Sequence, residues 1–238
     1  MTTFRLDDEP GRTRQDARAG LRAERFLDAR EAGRELASEL EAYAGRADSV
    51  VLAIASGGVP VGSEVAARLG APLDVVLMRR LFTPRGPDEP VCAFSVGGTL
   101  LLDEEIPPRA ASPSSGTDFF VAEALDELAR RERECRGVRP PIELARKTLI
   151  LVDNGVRTGS TMLAAIRAVR AVSKPARIVA AAPVASPESV EAVVAAAEEF
   201  VCLALPQPFG HVGVWYANFE RPDDARIRET LERAAGRG

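Results

Sequence analysis

The sequence predicts an α/β protein built on a doubly wound, mostly parallel sheet. Three features point there. Short unbroken apolar runs, Val50-Val51-Leu52-Ala53-Ile54-Ala55 and Thr148-Leu149-Ile150-Leu151-Val152 among them, match strands covered on both faces. Amphipathic stretches with helical spacing separate such runs. Two of the runs pass through a glycine-bearing loop directly into a helical stretch, the strand, loop and helix succession of a parallel sheet. At 238 residues, 46% of them hydrophobic and 28% charged, the chain can fill the core of one such domain.

Residues 1–25 are charged and aperiodic and read as an N-terminal arm that is loose or docks late. The main domain is expected over 26–225. From Asp28 to Tyr43, Ala32, Leu36, Leu40 and Tyr43 recur at helical spacing, and Gly45 ends the run. The strand at 50–55 leads through Ser56-Gly57-Gly58 into a helix ending near Leu69. Val75-Val76-Leu77-Met78 is the next buried strand. Arg79 and Arg80 follow it, and then a Pro- and Gly-rich stretch from Thr83 to Pro90 that reads as a mobile loop.

Val91–Val96 and Thr99–Leu102 flank Gly97-Gly98 as a β-hairpin. A stretch rich in Pro, Ser and Gly at 107–116 precedes a charged helix from Asp118 to about Arg136. Both read as surface additions, which makes 80–147 an insertion of flexible loop, hairpin and helix. The sheet resumes at 148–153, followed by a helix from about Gly159 to Val172. A strand at Arg177–Val184, a helix opened by Ser186-Pro187-Glu188 with Ser as N-cap, and a strand at Phe200–Leu205 complete the alternation. Residues 226–238 read as a C-terminal tail.

Lysine occurs only at Lys147 and Lys174 and histidine only at His211, so mechanisms built on either residue have few places to stand. No G-x-x-x-x-G-K-[ST], H-E-x-x-H or G-x-S-x-G occurs, which removes phosphate-loop nucleotide hydrolysis, zinc hydrolysis and a nucleophile elbow. Thirty-one basic residues against thirty-five acidic ones leave a net charge of −4. That argues against a broadly basic nucleic-acid binder, though not against a local basic patch around a phosphate. Cys92, Cys135 and Cys202 are odd in number, far apart and without metal-ligand spacing, and are expected reduced and structural. No signal-type apolar segment or membrane-length run is visible, so a cytoplasmic protein with no membrane partner is expected.

Chemistry concentrates in Val152-Asp153-Asn154-Gly155-Val156-Arg157-Thr158-Gly159-Ser160-Thr161. An acid at the carboxyl end of a buried strand faces the crevice in which α/β sheets bind ligands. Beyond it, Arg157, Thr158, Gly159, Ser160 and Thr161 would turn backbone N–H groups, hydroxyls and a helix N-terminus toward a phosphate. The competing reading is a tight turn whose Thr158 or Ser160 caps the helix, with Asp153 an N-cap or strand-end carboxylate. An acid suited to sugar hydroxyls beside a phosphate cradle points to a ribose 5-phosphate.

Thr148–Met162 resembles the phosphoribosyl pyrophosphate (PRPP) signature of the type I phosphoribosyltransferases: a hydrophobic strand, two acidic or near-acidic residues, then x-x-x-T-G-x-T. Ala53-Ile54-Ala55-Ser56-Gly57-Gly58-Val59-Pro60-Val61 is similar to the family's first-strand loop, which holds pyrophosphate. Phe26–Gly33, Ala71–Val75, Arg130–Pro141 and Pro206–Phe219 resemble a bacterial branch known only by the family name. Together these segments span most of 26–225. The resemblance implies one domain whose sheet carries a small hood, here at 206–220, with PRPP and Mg2+ between two loops, and a homodimer.

The activity it implies is transfer of phosphoribosyl from PRPP to a nitrogenous acceptor, a nucleobase, with release of pyrophosphate through an oxocarbenium-like transition state. On that basis Asp153 and Arg80 are the catalytic candidates. Asp153, Asn154, Arg157, Thr158, Gly159, Ser160 and Thr161 would hold PRPP, and Ser56, Gly57, Gly58 and Arg79 its pyrophosphate. The alternatives are an ordinary strand-to-helix turn for Ser56-Gly57-Gly58 and a solvated strand end for Arg79 and Arg80. Two positions depart from the pattern: Asn154 stands where the signature has a second acid, and Ser56 where this branch commonly has Arg. They motivate a second reading, a non-catalytic PRPP- or nucleotide-sensing protein on the same fold. A flavodoxin-like phosphate binder unrelated to PRPP is a third.

Phe200, Phe209, Trp215, Tyr216 and Phe219 fall within twenty residues of one another. Trp215 and Tyr216 are the candidates to stack on a planar acceptor, and packing of the segment onto the sheet edge is the competing reading. The strands at 50–55 and 148–153 are expected adjacent and parallel, because their loops must meet if PRPP is to bridge them.

Overall fold

Strands that alternate between two apolar faces require helices on both sides, and the sheet is covered that way. The computed structural model describes residues 2–5, 25–81, 91–102 and 117–236. The expected mobile loop at Thr83–Pro90 and the 107–116 stretch lie outside the described residues. Among the described residues, β1 (Thr2–Arg5), β2 (Ser49–Ile54), β3 (Leu73–Leu81), β4 (Val91–Val96), β5 (Thr99–Leu102), β6 (Thr148–Val152), β7 (Arg177–Val184) and β8 (Glu199–Ala204) form one sheet in the order β1-β8-β7-β6-β2-β3-β4-β5. From β8 to β3 every pairing is parallel, whereas β1, β4 and β5 pair antiparallel at the two edges.

Side-chain alternation decides which residue meets which helix. Val51, Ala53, Ile150 and Val152 face one layer, made by α1 (Ala29–Glu39), α2 (Gly58–Leu69), α3 (Thr117–Arg136) and α6 (Asp224–Ala235). Val50, Leu52, Ile54, Leu149 and Leu151 face the other, where α4 (Ser160–Ser173) and α5 (Pro187–Ala196) pack. The order of strands and helices follows the expected alternation, and β2 lies beside β6 in parallel, Ala53 opposite Val152. All three cysteines are buried and outside any disulfide. No helix among the described residues is long and apolar enough to cross a membrane.

Two expectations are corrected. The charged helix α3 is not a surface addition, because Ala124, Leu128 and Cys135 enter the core. Its charges misled because some of them are buried as a network: Arg136 donates to Asp74 at 3.0 Å and to Glu132 at 2.6 Å, and Ser95 donates to Glu132 at 2.9 Å. The C-terminal tail is largely α6, capped by Asp223 and buried through Ile227 and Leu231. At the other end of the chain, Thr2–Arg5 of the N-terminal arm docks on β8 as an edge strand, and residues 6–24 lie outside the described residues.

Candidate active site

β2 and β6 end side by side, so the loops after Ile54 and Val152 emerge together at the carboxyl edge of the sheet. There the two backbones touch. A Cβ at Gly58 would fall on the carbonyl oxygen of Val152, and one at Gly57 on the side-chain amide of Asn154. Only glycine permits that approach, which is the physical content of the Ser56-Gly57-Gly58 motif. The Ala55–Ser56 peptide is cis.

Asp153 stands at the junction. Its backbone N–H donates to Ala181 at 3.1 Å, which continues the β6–β7 ladder, and one carboxylate oxygen accepts the N–H of Asn154 at 2.8 Å. The carboxyl is hemmed in by protein although part of the residue's surface reaches solvent. Burial pushes its pKa up to about 7, against the opposing pull of the Asn154 N–H and the positive charge of Arg221. A carboxylate with one hydrogen bond and a raised pKa has unused acceptor capacity for sugar hydroxyls or a cation.

Asn154 is buried, with its amide against Gly57 and its backbone carbonyl accepting the Tyr216 hydroxyl at 2.5 Å. The chain then pairs briefly with the end of β7, Val156 N–H to Val184 at 2.9 Å, and turns at Gly159, whose φ of 80° a side chain would disfavour. Gly159 offers no side-chain cap to α4, and the exposed Thr158 and Ser160 hydroxyls lie 3.0 Å apart. Arg157 is exposed beside them and makes no ion pair among the described residues. Arg157, the paired hydroxyls of Thr158 and Ser160, Thr161 and the N-terminus of α4 thus follow Asp153 within one loop, the donor set for a phosphate.

The arginines expected near pyrophosphate part company. Strand alternation turns Arg79 toward α3, where it pairs with Glu127, so its guanidinium is engaged. The side chain of Arg80 lies outside the described residues.

The hood is built from both ends of the domain. Phe26 and Leu27 run alongside 215–218, with Phe26 N–H to Trp215 at 2.9 Å and Asn218 N–H to Leu27 at 2.9 Å. A 3-10 turn at Val212–Trp215 sets Val212 over Gly155. Tyr216 is buried and tied to Asn154, so it presents no free stacking face; burial also raises its pKa. Trp215 is half-buried, donates from Nε1 to Phe209 at 3.0 Å and packs on that ring at 6.2 Å. A polar cavity of about 480 Å3 lies beside the hood, bordered by Asp28, Arg30, Ser63, Glu220 and Arg226.

Two features escaped the sequence reading: the Tyr216 to Asn154 hydrogen bond and Arg221, which stacks on Phe219 at 5.7 Å. Neither has a local signal. Among the described residues no group of three or more His, Cys, Asp or Glu side chains could hold a metal ion. Asp153 is the one carboxylate at the junction of the two loops among the described residues.

Comparison with known proteins agrees with this geometry. A model of the phosphoribosyl transferase domain matches residues 23–217. Two Mycobacterium tuberculosis proteins, Rv0571c and its counterpart MT0597 in a second strain, both named provisionally as phosphoribosyl transferases, are 36% identical over 209 residues, 88% of this chain and 47% of theirs. The chain therefore spans about half the length of these curated relatives. The crystal structure of TT1426 from Thermus thermophilus is similar with a TM-score of 0.72 and 39% identity, covering 88% of this chain and 98% of that one. With its signature loop, its glycine-paired first loop and a family match across most of its length, the chain belongs to the phosphoribosyl transferase domain family.

Proposed function

We propose that the protein transfers the phosphoribosyl group of Mg·PRPP to a nitrogenous acceptor, a nucleobase, and releases pyrophosphate. The observation that carries this reading is the direct contact of the 55–58 and 153–161 loops, with Asp153 between a glycine-lined backbone surface and a phosphate cradle. PRPP has a phosphate on one side of its ribose and a pyrophosphate on the other, and the junction offers that spacing of chemistries.

Displacement at the anomeric carbon separates charge, positive on the ribose and negative on pyrophosphate. Asp153, ionised, holds the sugar hydroxyls and favours the cation. The backbone at Gly57-Gly58 supports the anion, and Thr158, Ser160 and the first turn of α4 fix the 5-phosphate. Mg2+ travels with PRPP and neutralises its pyrophosphate. Cytoplasmic location and a homodimer belong to the same proposal.

The sensing alternative keeps one specific support. Asn154 supplies no second carboxylate, and its amide packs on Gly57. Pyrophosphate release on mixing the protein with Mg·PRPP and a panel of purines and pyrimidines separates the two. Release with at least one base supports transfer, binding of PRPP without release supports sensing, and no binding overturns both.

A further inference from the structure

The hood carries a cation that forms no ion pair among the described residues. Arg221 is exposed, its guanidinium over the Phe219 ring at 5.7 Å, and Phe219 in turn packs on Tyr216 at 5.5 Å. Tyr216 hydrogen-bonds the Asn154 carbonyl, so these rings form a ladder rising from the residue next to Asp153. The acids near Arg221 in sequence are all occupied: Glu220 pairs with Arg226 at 3.0 Å, Asp223 caps α6, and Asp224 pairs with Arg131 at 2.8 Å. Among the described residues no carboxylate pairs with Arg221 itself.

The strap that bears it has two sides. Asn218, Glu220 and Pro222 line the 480 Å3 cavity against α1, α2 and α6, whereas Phe219 packs on Tyr216 and carries Arg221. The charge of Arg221 is felt at Asp153. A guanidinium held over a ring and bonded to no carboxylate among the described residues is arranged for an anion or a planar, electron-rich ligand.

On the reading that Mg·PRPP occupies the junction, we infer that Arg221 is a specificity-determining residue that selects an acceptor carrying negative charge, a carboxylate or a deprotonated ring amide. PRPP's own phosphates already have the Thr158–Ser160 cradle and the Gly57-Gly58 backbone. The position of Arg157 favours the same acceptor class: an arginine rather than a carboxylate stands next to Thr158, so no acid there removes a proton from a neutral base. An acceptor that binds as an anion needs less such help.

The test separates the inference from the reading beneath it. Calorimetry first gives the dissociation constant of Mg·PRPP for the wild type and for Arg221→Gln and Arg221→Lys. Transfer is then measured with two pairs of probes that differ in charge, orotate against uracil, and xanthine against hypoxanthine at about pH 8, with binding to the PRPP-loaded protein as the second readout. The expected result is a wild-type preference of tenfold or more in kcat/KM or affinity for the anionic member of at least one pair. Arg221→Gln should abolish it, Arg221→Lys should restore part of it, and Mg·PRPP affinity should stay within twofold throughout. Absence of any preference in the wild type, a preference unchanged in Arg221→Gln, or an equal loss of PRPP affinity overturns the assignment. Failure of the wild type to bind Mg·PRPP overturns the reading on which it rests, and a bound PRPP with no charge preference overturns this inference alone.

Discussion

The floor and the roof of the site are constructed differently. The floor comes from two adjacent parallel strands, each followed within a few residues by its loop and helix, and its contacts are close approaches of glycine backbone, Gly58 to the Val152 carbonyl and Gly57 to the Asn154 side-chain amide. The roof comes from chain segments nearly two hundred residues apart, Phe26-Leu27 and 209–221, held by a short ribbon and by aromatic packing. A floor of that kind tolerates almost no change. A roof of side chains can vary, which suits the part of a transferase that chooses the acceptor.

That contrast can be broken from either side. The largest effect is expected for Asp153→Asn, which removes the charge that favours the ribosyl cation and should lower kcat/KM by about 100- to 1,000-fold. Thermal unfolding should be little affected. A matching fall in stability would make Asp153 structural.

The wild-type pH profile gives the same residue a second signature. A carboxyl whose folded pKa is about 7 lies above its unfolded value, so the native state binds the extra proton between those two pH values. Its contribution to stability is full below the unfolded pKa and is lost as pH rises through about 7. Activity runs the other way: kcat/KM for Mg·PRPP should rise with pH through the same region, and Asp153→Asn should flatten that limb.

Next in size is Gly58→Ala, whose Cβ falls on the Val152 carbonyl. Overpacking of about 1 to 3 kcal/mol is expected, seen by calorimetry as weaker Mg·PRPP binding or by denaturation as lost stability. An unchanged protein would mean that the loops are not in contact. Trp215→Ala should raise the acceptor KM, by about 1 to 3 kcal/mol if the ring stacks on the base, and leave the Mg·PRPP dissociation constant in place. An equal loss of both would make the ring packing alone. The smallest effect belongs to the tie between the two parts. Tyr216→Phe leaves the buried Asn154 carbonyl without its donor, about 1 kcal/mol, and should weaken PRPP and acceptor together.

The same contrast explains what could be read from the sequence. The floor was legible because each of its parts is local: an apolar run, an acid or a glycine pair, and a helix start follow one another within fifteen residues. The roof was not, since nothing near Tyr216 states that its hydroxyl reaches Asn154, sixty-two positions away. Arg79 is not legible as a helix partner because strand parity sends it to Glu127, on a helix whose docking the sequence does not reveal. The charges of α3 look solvated in one dimension, but Asp74 draws Arg136 into the core. Composition alone offers Tyr216 for stacking, whereas packing against Phe26 and Phe219 buries it.

The central claim is that Mg·PRPP sits on Asp153, and the proton released on binding tests it most directly. Calorimetric titration at about pH 7 in two buffers of different ionisation enthalpy counts that proton for the wild type and for Asp153→Asn. Since the free carboxyl titrates near pH 7 and the bound one should be ionised, the wild type should release roughly half a proton more than the variant. Equal proton release by the two, with Mg·PRPP bound by both, would contradict the claim.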